Sequence, residues 1–256
     1  MILRRVMKHV SDQNWFAVGL DFLIVIVGVF IGIQVANWND ERLELADERE
    51  TLVRLYADIE DSIAGQDRDL RFLERQIADQ KVVLAALDAC AVEPEDELTF
   101  QRGVTTLGYV NPPRLFRRTI DEIAASGRTD IIRNEAIAEE LARIVSVVEW
   151  RAAGHAQIIA GFEPHRRRLE QHVRYTLKQT FEDRFIPNHK GGVEYNITEV
   201  CSDPQVANGV SAVSYQTLER LEAYRPILER YRAFLSLLEI ELEDRWGVAM
   251  EKRAEP

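Results

Sequence analysis

Three histidines, His155, His165 and His172, share one side of a helical repeat with Arg151, and inward-facing histidines of a helical bundle can ligate a metal ion. The carboxylate-bridged metal pattern requires Glu-x-x-His pairs, and the chain contains neither that spacing nor His-x-x-x-His. The expectation is therefore a polar core without metal or other cofactor. Gln66 and Gln80, on the apolar seam of another helix, are candidate hydrogen-bond partners for these histidines. Asp21 stands inside an otherwise apolar run, where a carboxylate is either a functional group or a hydrated residue at the interface. The dense basic run His165-Arg166-Arg167-Arg168, with Arg174 and Lys178, reads as an anion site or as a solvated helix face. No G-x-S-x-G, Walker loop, dinucleotide-binding glycine pattern or H-E-x-x-H occurs, so the motif-bearing hydrolases and nucleotide enzymes lose support. An extracytoplasmic enzyme with dispersed catalytic residues stays open.

The elements that position these residues begin with a membrane segment. The 256 residues, 46% apolar, suffice for one domain and an appendage. Residues 15–38 are apolar except for Asp21, Gln34 and Asn37, long enough for a hydrocarbon core of roughly 30 Å, with Trp15 and Trp38 at aromatic-belt positions. A cleavable signal is the alternative; the absence of an A-x-A-like site before Asn37 speaks against it. Arg4, Arg5 and Lys8 precede the span, against Arg42 and Arg49 after it, which favours a cytoplasmic tail over residues 1–14 and a periplasmic main domain at the inner membrane. Residues 1–38 carry three basic and two acidic side chains, so the remainder holds a charge of −12 within a total of −11. Such a domain is unsuited to binding nucleic acid. Gly28 and Gly32 form a G-x-x-x-G that Ala36 extends, and Asp21 lies within about 20° of the same helix line, which makes a packing face for a second copy or another membrane protein.

The run Gly19-Leu20-Asp21-Phe22-Leu23-Ile24-Val25-Ile26-Val27-Gly28, continuing through Gln34 to Asn37-Trp38-Asn39-Asp40-Glu41-Arg42, resembles the N-terminus of an uncharacterised bacterial family of single-pass membrane proteins. Members typically read Gly-Glu, then an apolar run ending Asn-Trp-Asn-Glu; Asp21 replaces the glutamate here. Thr119-Ile120-Asp121-Glu122-Ile123, with Ser126-Gly127 and Ile132-Arg133-Asn134, is similar to the family's central helix, turn and helix. The resemblance implies a membrane anchor and a helical domain, and brings no activity, ligand or catalytic residue.

Beyond the span, Leu52, Tyr56, Ile59, Ile63, Gln66, Leu70, Leu73, Ile77, Gln80, Leu84 and Leu87 keep a four-three spacing. The spacing predicts an all-α fold in which the transmembrane helix continues into an elongated antiparallel bundle, this helix covering 39–92. Short helices follow over 93–133, broken at Asn111-Pro112-Pro113 and at Gly127. A third long helix over 134–181 starts at the N-cap Asn134 and is kinked at Gly161 and Pro164. A loop over 182–203 precedes a C-terminal helix over 204–256, bent at Pro226, whose seam includes Leu221, Tyr224, Leu228, Tyr231, Leu235, Leu238 and Leu242. Helices running up and down in this way place Cys90 and Cys201 at one level, either as a disulfide or as two buried thiols. The functional expectation is a membrane-anchored scaffold or interaction protein. A ligand-sensing bundle is the alternative, which a pocket lined by Arg151, His155 and Gln66 would favour.

Overall fold

The computed structural model describes residues 15–180 and 190–250, so the basic tail of residues 1–14 lies outside the described residues. Helix α1 runs from Trp15 to Ala89, uninterrupted because the stretch holds no proline. Two units make up the chain, Met1–Glu50 and Thr51–Pro256. The fold is all-α apart from one two-stranded hairpin.

In the second unit α1 stops in a left-handed turn: Cys90 has φ 53°, and Ala91 N–H donates to the Ala86 carbonyl at 3.1 Å, the Schellman bond. Helix α2 (Glu97–Thr105) then packs tightly on α1 through Gly103, where an added Cβ would stand 2.6 Å from Val83 Cγ2 and 2.9 Å from the Asp79 carbonyl oxygen. Residues 109–117 hold no regular element and lead into α3 (Arg118–Ser126), which Gly127 ends in the left-handed region at φ 69°. Helix α4 (Glu135–Ala153) is capped by Asn134, whose side chain accepts from Ala136 N–H and Ile137 N–H. Helix α5 covers His155–Glu170.

The expected third helix over 134–181 is corrected in two respects. It is divided into two helices at Gly154, and the residues expected to kink it, Gly161 and Pro164, both lie within α5. It also ends at Glu170, because the next residues form an antiparallel hairpin, β1 (Val173–Thr180) with β2 (Lys190–Tyr195), pairing Val173 with Tyr195 and Tyr175 with Val193. The alternation Val173, Arg174, Tyr175, Thr176 has the period of a strand, and Val173 and Val193 are its buried positions. The expected loop over 182–203 accordingly holds β2 and a short helix, α6 (Ile197–Cys201). Helix α7 (Pro204–Trp246) starts at the cap Asp203 with Pro204 in its first turn, runs through Pro226, and stops at Gly247, short of the expected 256.

Helices α4 and α5 pack along α7. The core is built from the two heptad seams: Leu52, Tyr56, Ile59 and Leu73 of α1 and Tyr224, Tyr231, Phe234 and Leu238 of α7 are all buried, with Phe100, Ile137 and Ile144 filling between.

Candidate functional site

The first unit carries a surface that water alone does not explain. Every leucine, isoleucine, valine and phenylalanine between Leu20 and Val35 is 46% to 67% exposed. This is the stretch of α1 long and apolar enough to cross a membrane. Asp21, Gly28, Gly32 and Ala36 are exposed, and a Cβ added at Gly28 or Gly32 would meet nothing within 4 Å, so that face is open to close approach by another helix.

In the second unit the chemistry-bearing side chains form a polar seam on α1 beside its apolar one. Asp58, Ser62, Gln66, Asp69, Gln76 and Asp79 are buried. They hold the segment from Arg102 to Thr119. Gln66 Oε1 accepts from Arg114 N–H at 3.0 Å, Ser62 Oγ from Phe116 N–H at 2.8 Å, and Asp58 Oδ2 from Thr119 N–H at 2.8 Å. Spacing explains the fit. Two extended residues advance about 6.6 Å and four helical residues about 6.0 Å, so the alternate N–H groups of Arg114 and Phe116 in this extended strap meet Gln66 and Ser62, four residues apart on α1, and Thr119 N–H in the first turn of α3 then meets Asp58. Pro112 and Pro113 bring no N–H to satisfy. The strap's carbonyls turn to α7, where Tyr231 donates to the Arg114 carbonyl at 2.7 Å and Tyr224 to the Asn111 carbonyl at 3.3 Å. Burial raises both phenol pKa values and keeps them donors.

Guanidinium groups neutralise the seam's carboxylates: Arg102 grips Asp79 with two bonds of 2.6 Å, Arg114 donates to Asp69 at 2.6 Å and Arg118 to Asp58 at 3.0 Å. Burial pushes the Asp58 carboxyl up, but the Thr119 N–H and the Arg118 guanidinium outweigh it and leave it below the ordinary value. Such carboxylates are structural acceptors, and the seam has the character of a clamp.

The polar core expected around the histidines is not assembled in this way. Gln66 serves the strap, and Gln80, fully buried, has no hydrogen-bond partner at either side-chain atom among the described residues. His172 Nε2 lies 3.1 Å from Asp203 Oδ2, the cap of α7, whose carboxyl the Arg168 guanidinium holds below the usual range. His165 packs against Gly209, where an added Cβ would stand 3.1 Å from its Nδ1. His155 has a buried Nδ1 without a partner among the described residues, and burial together with Arg220 lowers its pKa. Among the described residues no group of three or more His, Cys, Asp or Glu side chains is placed to hold a metal ion. The basic run is paired within the fold: Arg167 with Glu163, Arg166 with Glu170 and Arg168 with Asp203. Arg151 lines a cavity between α4 and α7 that includes neither His155 nor Gln66.

Cys90 and Cys201 are disulfide-bonded, their Cα atoms 5.8 Å apart, which ties the end of α1 to the end of α6. The clamp residues Asp58, Ser62, Asp69, Gln76 and Asp79 escape a reading by apolar periodicity; their signal is a second stripe of polar residues at helical spacing on a face that already reads as core. No family model matches the chain, and no curated protein or solved structure matches it.

Proposed function

We propose that the chain is a membrane-anchored helical scaffold or interaction protein, held in the inner membrane by residues 15–38, with its N-terminus cytoplasmic and its helical unit in the periplasm. The observation that carries this reading is the apolar surface from Leu20 to Val35; among the described residues of the second unit, exposed large apolar side chains such as Leu98, Trp150 and Ile240 are scattered rather than continuous. The bonded pair Cys90 and Cys201 supports an oxidising compartment, and the excess of Arg4, Arg5 and Lys8 before the span supports the same orientation. The resemblance of residues 19–42 to a single-pass family agrees with it. The open Gly28 and Gly32 face supports association with a second copy or another membrane protein. A strap clamped to a bundle by buried hydrogen bonds gives a rigid body suited to presenting surfaces.

Protease added to intact spheroplasts tests the arrangement: it should digest the chain beyond Asn39 and leave the membrane-embedded stretch. Digestion only after the membrane is opened would reverse the orientation.

A further inference from the structure

A slot of about 400 Å³ lies between α4 and α7, within the size range of small-molecule sites. Val147 and Val148 of α4 and Ala223, Pro226 and Ile227 of α7 give it an aliphatic wall. Three charged side chains also line it, and two are engaged: Arg230 pairs with Glu140 at 3.2 Å, and Glu222 faces Arg225 at 3.6 Å. Arg151, the third, has no carboxylate within ion-pair distance among the described residues. Its guanidinium lies 4.8 Å from the Trp150 ring centroid, and its Nε is buried without an acceptor. A permanently charged guanidinium that lines the slot without a carboxylate partner favours an anion that can reach it.

Beyond the lining, Tyr224 feels charges of both signs, from Arg220 and Arg151 and from Asp69. Arg220 acts on His155 as well. Arg220 also has a buried Nε without an acceptor among the described residues.

We propose that the slot binds a single-chain aliphatic carboxylate, its head on the Arg151 guanidinium and its alkyl chain along the Val147, Val148, Ala223 and Ile227 wall. A planar guanidinium matches a carboxylate in shape and charge. One unpaired lining cation suits a monoanion, and the aliphatic wall would leave the hydroxyls of a sugar phosphate or other polyol without partners. The site does not depend on which way the span is oriented, so its failure and a failure of the topology are separate results.

Titration calorimetry of the full chain in lipid nanodiscs, with empty nanodiscs as the blank, tests the proposal using decanoate, decanol, acetate and inorganic phosphate. Decanoate should bind saturably at one site per chain. Decanol, which lacks the charge, and acetate, which lacks the chain, should each bind at least roughly tenfold more weakly. Arg151→Gln should weaken decanoate by roughly tenfold or more, with Arg151→Lys in between, and Ala223→Phe should abolish binding by filling the slot. Decanol binding as tightly as decanoate would reduce the slot to an apolar crevice, and phosphate binding as tightly would make it a simple anion site; either overturns the proposal. So would the absence of saturable decanoate binding to the unaltered chain, a result that needs no variant to fold.

Discussion

The two stretches of α1, Leu20–Val35 and Leu52–Leu87, are both rich in aliphatic residues and both helical, yet they dispose them in opposite ways. In the first, the aliphatic side chains face outward on all sides and the few polar residues, Asp21 and Gln34, are exposed with them. In the second, one stripe of Leu52, Tyr56, Ile59 and Leu73 is buried, and beside it Asp58, Ser62, Gln66 and Asp69 are buried as well. Composition alone therefore does not decide what a helix does with its surface. A helix closes its own backbone hydrogen bonds, so an apolar one can stand alone in hydrocarbon. A helix with buried carboxylates and amides requires partners for them: the strap supplies the Arg114 and Phe116 N–H groups at the matching spacing, and the first turn of α3 supplies that of Thr119.

The contrast is broken most severely by changing the first stretch. Ile26 and Phe30 lie one turn apart near the middle of the span. Replacing both with lysine should disfavour membrane insertion by about 6 to 8 kcal/mol, since each exchange moves the insertion free energy by about 3 to 4 kcal/mol. Alkaline carbonate extraction of membranes should move the doubly substituted chain from pellet to supernatant. A chain still retained in the pellet would show that this apolar surface is not what holds it.

The second stretch responds to a different change. The disulfide closes a loop with a sequence separation of 111 residues, and in the chain-entropy model its loss destabilises the fold by up to about 4 to 5 kcal/mol. For a unit of this size that corresponds to a melting temperature roughly 10 to 15 °C lower. Circular dichroism of the reduced protein, or of Cys90→Ser with Cys201→Ser, measures it, and carbonate extraction should be unchanged. A melting curve unaffected by reduction would show that the bond adds nothing to the helical unit.

Legibility followed the same division. The long apolar helical stretch, the α1 and α7 seams, the Asn134 cap and the Gly127 stop rest on local signals, because apolar period and capping chemistry act over a few residues. The strap was less readable. The break at Asn111-Pro112-Pro113 is visible in sequence, but where an extended segment docks depends on acceptors some 50 residues away, such as Ser62 for Phe116. Gln66 and Gln80 read alike as polar interruptions of one seam; only the fold gives Gln66 a strap N–H to accept and leaves Gln80 with none. The hairpin was lost for another reason: residues 173–176 alternate at strand period, but they follow so closely on the Phe162 and Leu169 helical pattern that the helix reading runs over them.

Replacing Gly28 and Gly32 together with isoleucine sharpens the comparison within the span, with a smaller effect than the lysine pair. Two bulky side chains would keep a second helix from approaching while leaving the span apolar. Sedimentation in detergent should shift toward monomer, and membrane retention and the melting curve should both stay as they were. A chain that is monomeric before substitution, or an oligomer indifferent to it, removes the packing role from this face.

The smallest effect is a pH dependence confined to the second stretch, and it comes from Asp58. Its carboxyl titrates below the ordinary value in the folded unit: burial opposes this, but the Thr119 N–H and the Arg118 guanidinium prevail. A group whose folded pKa is depressed adds stability in full above its unfolded value, near 3.9, and loses it as the pH falls through the lower folded value. Between pH 7 and about 5 the contribution is therefore constant, and acid should loosen the strap only below about pH 4. Asp58→Asn tests the assignment, because an amide can still accept from Thr119 N–H while presenting no charge to Arg118. The variant should be less stable than the unaltered protein at pH 7, and the gap between their urea midpoints should narrow as the pH is taken from 5 toward 3. Since the Arg118 side chain is mostly exposed, solvent screening keeps the ionic part of that gap small. A gap that stays constant over that window would mean that the strap is held by hydrogen-bond geometry and packing alone, with the charge on Asp58 contributing nothing.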